Sequence, residues 1–245
     1  MRRTSVKLGY LLGSYVMIVL TLIMSDRFQL HGLVAPHVGD VIQRIVPLLV
    51  TVGFICATKQ KILVRADKSM LRIEALLGIL ILALFINDFK SINLVLQVLS
   101  ILLGVIFEEL YFRGYLLPQL MKLVQIKDAS HAGMGGILIA SVIFGLTHLV
   151  NLSFQTPLMT AIQIVTAVLL GIILSLLYMR TRIIVIPIII HLALDLSVLT
   201  ATGTVVVHHV GMSDLTQVVI YGGLIVILAR AMSRTTLDTF TKAVG

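Results

Sequence analysis

Long apolar runs separated by short basic or polar turns make up nearly the whole chain. A membrane-spanning helix takes about 20 predominantly apolar residues. On that spacing the pattern predicts eight helices, near 7–25, 41–58, 71–88, 92–123, 132–151, 157–179, 183–203 and 215–233. The fourth is longer than one span. It opens on a stretch from Ile92 to Phe107 without a single charge, then runs into Glu108-Glu109-Leu110-Tyr111-Phe112-Arg113. Ionisable groups at membrane depth usually face a bundle interior and have a job there. No repeat, low-complexity tract or soluble segment interrupts the pattern. The expectation is therefore an all-α polytopic protein, a single transmembrane domain over 1–245, whose eight helices enclose an intramembrane polar cavity.

Composition supports a bilayer environment. Hydrophobic residues make up 58% and charged residues 12%, with a mean hydropathy of +1.08, whereas a soluble domain is nearer half apolar and a quarter charged. The net charge of +8 does not read as a nucleic-acid face, because the basic residues sit in short loops. If the helices alternate in direction, most of the 19 Lys and Arg fall on one side. The opposite loops keep only Arg27 and Lys90, and Arg44 and Arg113 lie within helices. That asymmetry places both termini in the cytoplasm of a multi-pass cell-membrane protein whose standing partner is the lipid bilayer. Arg2, Arg3 and Lys7 precede the first apolar run, but no small-residue cleavage site closes it, so an uncleaved first helix is expected. The single Cys56, inside an apolar run, reads as a packed thiol and rules out a disulfide framework.

Candidate chemistry lies in the polar residues within apolar helices: Arg44, Glu74, Glu108, Glu109, Arg113, His148, His191 and Asp195. Glu109 and Arg113 are four apart, share a helix face and can pair; as a pair they neutralise two buried charges. Glu108 points about 100° away and stays outside that pair. Phe144 and His148 are again four apart, as are His191 and Asp195. Arg44 has no motif around it and sits where it can snorkel to the interface, and Glu74 complements a helix start. Adjacent residues such as His208 and His209 point apart and make no metal site.

Three motifs on successive inner helices, Glu108-Glu109-x-x-x-Arg113, Phe144-x-x-x-His148 and His191-x-x-x-Asp195, resemble the CPBP family. These are the CAAX proteases and bacteriocin-processing enzymes, also called Abi. The resemblance covers 108–195 and implies an eight-helix fold with an intramembrane peptidase site opening toward the cytoplasm. It implies Glu108 as the base that activates water, helped by His148. It implies Glu109 and Arg113 as a supporting pair beside Phe144, and His191 with residue 195 as oxyanion stabilisers. The reaction would be hydrolysis of a peptide or protein substrate near the cytoplasmic leaflet, in bacteriocin self-immunity or peptide processing.

Peptide hydrolysis needs an activated water, a polarised carbonyl and a proton for the leaving amine. The family's last motif often ends in Asn, which donates a hydrogen bond; ionised Asp195 cannot. Asp195 is then protonated, or orients the His191 ring, or binds a metal. Glu108, His148, His191 and Asp195 offer the donors of a zinc or other divalent site. No His-Glu-x-x-His helix is present, and glutamate-activated water with no required cofactor is the favoured reading. Two other classes share these features, a proton-coupled transporter and a non-catalytic scaffold of the same fold. No inverted repeat supports the first.

Depth refines the placement. His148 lies sixteen residues past 132, roughly 24 Å along a helix. Glu108 reaches that level only if the fourth helix continues to about Val124. His191 is shallower, and a bend at Pro187 is expected to bring it to the others.

Overall fold

The computed structural model describes residues 2–27, 36–64, 92–123, 129–202, 212–230 and 234–244. The helix expected at 71–88, with Glu74, and the pair His208 and His209 lie outside them. The described residues form helices α1 (Arg2–Arg27), α2 (Pro36–Thr58) and α3 (Ile92–Glu109), a π-helical segment Leu110–Leu116, and α4 (Leu117–Leu123). Then come α5 (Ala129–Thr147), a 3-10 turn His148–Ser153, α6 (Pro157–Thr181), α7 (Val185–Thr202), α8 (Met212–Arg230) and α9 (Arg234–Val244). No strand occurs among the described residues.

Among the described residues, four spans are long and apolar enough to cross a membrane: Val38–Thr58, Leu94–Leu123, Gly133–Ser153 and Pro157–Thr181. Gly9–Ile23, Val185–Ser197 and Thr216–Arg230 are shorter apolar helices.

The long fourth helix is continuous, 30 residues from Leu94 to Leu123, but it is not α-helical throughout. Leu117 N–H bonds to the carbonyl of Phe112, a five-residue step. Pro118 supplies the cause. It has no N–H, and its ring collides with the carbonyl four residues back, which belongs to Gly114. Widening the preceding turn relieves the collision. π-segments of this kind are rare and cluster at functional sites.

This helix is the centre of the molecule. Phe107, Tyr111, Phe112, Tyr115, Leu116 and Leu117 are all buried. Tyr111 Oη lies 3.2 Å from Ser14 Oγ of α1, and Phe54 of α2 meets Tyr115 at 6.0 Å between ring centroids. Arg44 of α2 lies against Gly104, so α2 and α3 run in the same direction. α7 runs the opposite way, with Leu196 packed on Ile101 and Val105. α5 and α6 meet at backbone distance: a Cβ on Gly145 would stand 2.5 Å from Val168 Cγ2 and 2.9 Å from the Ile164 carbonyl oxygen. Small residues at helix contacts permit such approach in membranes, where dispersion replaces hydrophobic driving force.

Several expectations change. Pro187 lies in the first turn of α7, where a missing N–H removes no intrahelical bond, so it makes no bend. α7 instead begins inside the protein, at the buried Ile183 and Ile184, with Ile184 N–H donating to the Leu63 carbonyl. Cys56 is a free thiol and exposed, on the outer face of α2 rather than packed. The 132–151 helix gives way at His148 to a 3-10 turn.

Beyond the last expected span, α9 buries Leu237, Phe240 and Val244, and Phe240 packs edge-on against Tyr178 of α6. Lys122 Nζ and Gln60 Nε2 both donate to the Val244 carbonyl, at 3.1 and 3.2 Å. A search for 20-residue apolar windows passes over this short amphipathic helix.

Candidate active site

Glu109 ends α3 and is fully buried. Its Oε1 accepts from Arg113 Nη1 at 2.7 Å and from His191 Nδ1 at 2.8 Å. Both bonds are charge-assisted, the stronger class of hydrogen bond. The four-residue spacing to Arg113 therefore pairs as expected, and the same carboxylate also fixes the His191 ring on α7. The sequence offered Asp195 as one candidate for orienting that ring. Asp195 Oδ1 stands 3.8 Å from His191 Nε2, beyond hydrogen-bond length, and the orienting bond comes from Glu109.

Because the carboxylate can only accept, Nδ1 of His191 carries the proton in that bond. Nε2 is then the ring atom that faces Glu108, whose Oε2 lies 3.8 Å away, and Asp195. Glu108, one residue from Glu109 but on a different face, has no hydrogen bond shorter than this contact among the described residues.

Phe144 sits between the motifs. The Arg113 guanidinium carbon lies 4.5 Å above its ring. Phe112, His148 and His191 meet the same ring edge-on, at centroid distances of 4.9, 5.3 and 5.9 Å. The phenyl face thus holds the cation and its edge spaces the two imidazoles. His148 Nδ1 donates to the Phe144 carbonyl at 3.2 Å, which leaves its Nε2 as the acceptor atom, within Coulombic range of Glu108 and His191.

All seven residues singled out from the three motifs come together, from α3, the π-segment, α5, the 3-10 turn that follows it, and α7. Their exposure is graded. Side-chain accessibility is 1% for Arg113, 0% for Glu109, 6% for His191, 24% for Glu108 and 38% for Asp195. The Arg113 end is sealed by packing, and the accessible end is that of Glu108 and Asp195. Glu109 Oε2 and Arg113 Nη2 are buried without a hydrogen-bond partner among the described residues. Each such group costs about 1–3 kcal/mol, which surrounding packing must offset.

The site includes a residue to which the sequence gave no role. Arg44 does not snorkel to the end of α2. Its Cδ, Nε and Cζ lie 3.6–3.9 Å from the Cβ position of Gly104, one turn before Glu108, and it interacts electrostatically with Asp195. The signal available in the sequence was only a charged residue inside an apolar run.

Among the described residues, no three His, Cys, Asp or Glu side chains are grouped as a metal would need.

No curated protein and no solved structure matches the chain. Residues 90–197 match the family model for type II CAAX prenyl endopeptidases, Rce1-like, a segment that includes every one of these seven residues. The segment that holds all three motifs is thus similar to the Rce1-like family, and it is the same stretch whose motifs resemble the CPBP family.

Proposed function

We propose that this protein is an intramembrane endopeptidase in which Glu108 activates water for attack on a peptide carbonyl. The observation that carries the reading is the convergence of Glu108, His148, His191 and Asp195 within a segment matched to an endopeptidase family. Glu108 is partly accessible and makes no short hydrogen bond among the described residues, as suits a general base; its neighbour Glu109 is held by Arg113 and His191.

In the reaction, water bound between Glu108 and His148 Nε2 gives a proton to the Glu108 carboxylate while its oxygen adds to the scissile carbonyl carbon. The tetrahedral oxyanion receives a hydrogen bond from Nε2–H of the His191 imidazolium, held in place through Nδ1 by Glu109. Asp195 is the counter-charge beside that Nε2. Collapse breaks the C–N bond, and the proton held by Glu108 passes to the leaving amine. No cofactor enters this scheme.

The setting we infer is a multi-pass cell-membrane protein of eight spans, 71–88 supplying one of them, with both termini cytoplasmic and the polar recess within a single domain. Glu108 lies fourteen residues from one end and fifteen from the other of the span Leu94–Leu123. At 1.5 Å per residue that is about 21–22 Å from each, so Glu108 lies near the middle of that span. Processing of a membrane-associated peptide, including bacteriocin self-immunity, fits such a site.

The test is cleavage of a quenched-fluorescence peptide library by the purified protein in nanodiscs, comparing wild type with Glu108→Gln. Loss of cleavage with unchanged thermal unfolding supports the reading. Cleavage that survives Glu108→Gln overturns it, and proton-coupled uptake in vesicles with no cleavage would mark a carrier instead.

A further inference from the structure

Two of the membrane-length spans end on a cation in a backbone conformation that favours glycine. Val38–Thr58 is followed by Lys59 and Pro157–Thr181 by Arg182. These are the two non-glycine residues with positive φ among the described residues, at 53° and 60°. We propose that the exposed cations at this end of the bundle, Lys59, Lys61, Arg180 and Arg182, bind the phosphate headgroup of an anionic phospholipid. This site is separate from the peptidase reading and does not depend on it.

The helix ends have no need of these side chains. After α2, Lys59 N–H donates to the Cys56 carbonyl at 3.1 Å and Gln60 N–H to that of Ile55 at 3.0 Å, the paired bonds of a Schellman turn. After α6, Arg182 N–H donates to the Tyr178 carbonyl at 2.7 Å. Glycine, the usual residue just past a helix end, would make the same backbone bonds without a Cβ penalty. The dipole of α6 is already met by Arg180 in its last turn. What glycine would not supply is charge.

The two ends belong to one surface. Ile184 N–H donates to the Leu63 carbonyl at 2.9 Å, and Leu63 N–H to Tyr178 Oη at 3.1 Å. The segment after Lys59 is thereby tied to the segment after Arg182. Gln60, between the two lysines, is buried and donates to the Val244 carbonyl of α9, while Lys59, Lys61, Arg180 and Arg182 are exposed. None of the four has an ion-pair partner among the described residues. α9 adds one exposed cation and one exposed acid, Lys242 and Asp238, which offset each other. Unpaired like charges gathered on one surface attract an anion.

A lipid fits this surface better than a free anion does. Lys59 and Arg182 each come directly after a span of membrane length, which sets them at headgroup level. Ile45, Leu49, Val52 and Cys56 of α2 are exposed and recur at helical spacing along one face. That apolar stripe leads to Lys59, so acyl chains can lie on it while the phosphate meets the cations.

The experiment measures thermal unfolding of the full chain in phosphatidylcholine nanodiscs with and without phosphatidylglycerol, and lipid retention by native mass spectrometry. Wild type is compared with Lys59→Gly/Arg182→Gly and with the charge-preserving Lys59→Arg/Arg182→Lys. Phosphatidylglycerol is expected to raise the wild-type Tm by about 10 °C, four cations each contributing, and to stay bound. The glycine pair should match or exceed the wild-type Tm in neutral lipid, because strain is relieved, yet lose about half of the phosphatidylglycerol gain and the retained lipid. The charge-preserving pair should keep both. A phosphatidylglycerol gain undiminished in the glycine pair overturns the proposal. So does a Tm of the glycine pair that falls equally in both lipids, which would mean that Lys59 and Arg182 serve the fold alone. Inorganic phosphate reproducing the full gain in neutral nanodiscs overturns it too, since the ligand would then be a soluble anion.

Discussion

Glu109 carries two loads that one experiment can separate. It neutralises Arg113 and it orients His191, through a single oxygen at 2.7 and 2.8 Å. Glu109→Gln keeps the shape, removes the charge and leaves the Arg113 guanidinium buried without a counter-ion. Breaking a buried pair from one side costs about 3–5 kcal/mol. At about 2–4 °C per kcal/mol for a chain of this size, the Tm in detergent should fall by roughly 10 °C. Arg113→Met, an apolar side chain of similar length, should cost a similar amount by stranding Glu109. In the double variant Glu109→Gln/Arg113→Met neither charge is left, and the stability loss should be smaller than the two singles summed by at least about 2 kcal/mol. Turnover should behave differently. The amide oxygen of Gln still accepts from His191 Nδ1 but no longer with charge assistance, so kcat should stay low in the double variant even as Tm recovers. Thermal unfolding and peptide cleavage on the same four samples decide this. A double variant that regains both Tm and kcat would show that Glu109 only compensates charge, and the positioning of His191 would have to be assigned elsewhere.

Other perturbations test other parts of the same geometry. Glu108→Gln should lower kcat by about 10²–10⁴-fold, the usual worth of a general base, with little change in Tm because Glu108 is partly accessible and holds no short hydrogen bond among the described residues. Gly145→Ala should cost about 1–3 kcal/mol, since its Cβ meets the backbone oxygen of Ile164 at 2.9 Å; an unchanged Tm would mean that α5 and α6 slide apart freely. Pro118→Ala restores an N–H and removes the collision with the Gly114 carbonyl, so the π-segment should relax to α and turn Arg113 away from Glu109. Turnover should drop without a gain in stability, and unchanged turnover would dissociate the π-segment from the site. Phe240→Ala should lower stability by about 3–5 kcal/mol if α9 is integral to the bundle, and by well under 1 kcal/mol if it merely rests there.

What the sequence made legible is what periodicity governs. The four-residue spacings of Glu109 to Arg113, Phe144 to His148 and His191 to Asp195 each survive as shared faces, because helix geometry alone sets them. The long fourth helix was readable too, since a shorter one would leave Glu108 and His148 at different depths. Other features depend on partners that spacing does not name. Nothing local says that Glu109 Oε1 accepts from His191, 82 residues away. Pro118 and Gly114 together carried a signal for the π-segment, but its location rests on which carbonyl the proline ring meets. Cys56 and Arg44 were misplaced for one reason: an apolar run fixes the presence of a helix and leaves open which face meets lipid. Residues 71–88, with Glu74, lie outside the described residues.

Glu108 and Glu109 show how little of a site is intrinsic to its residues. They are the same side chain at consecutive positions of one helix, and a rotation of about 100° gives them opposite fates. Glu109 turns inward to Arg113 and His191, both of which donate to it, and becomes fixed negative charge. Glu108 turns toward the more accessible side, where it stands 3.8 Å from His191 Nε2, and remains outside that pair. Exchanging the roles would require moving Arg113 and His191 together, since one is tied to α3 through the π-segment and the other arrives on α7. A single turn of backbone, widened by Pro118, thus lies between the carboxylate proposed as the base and the cation that holds its neighbour.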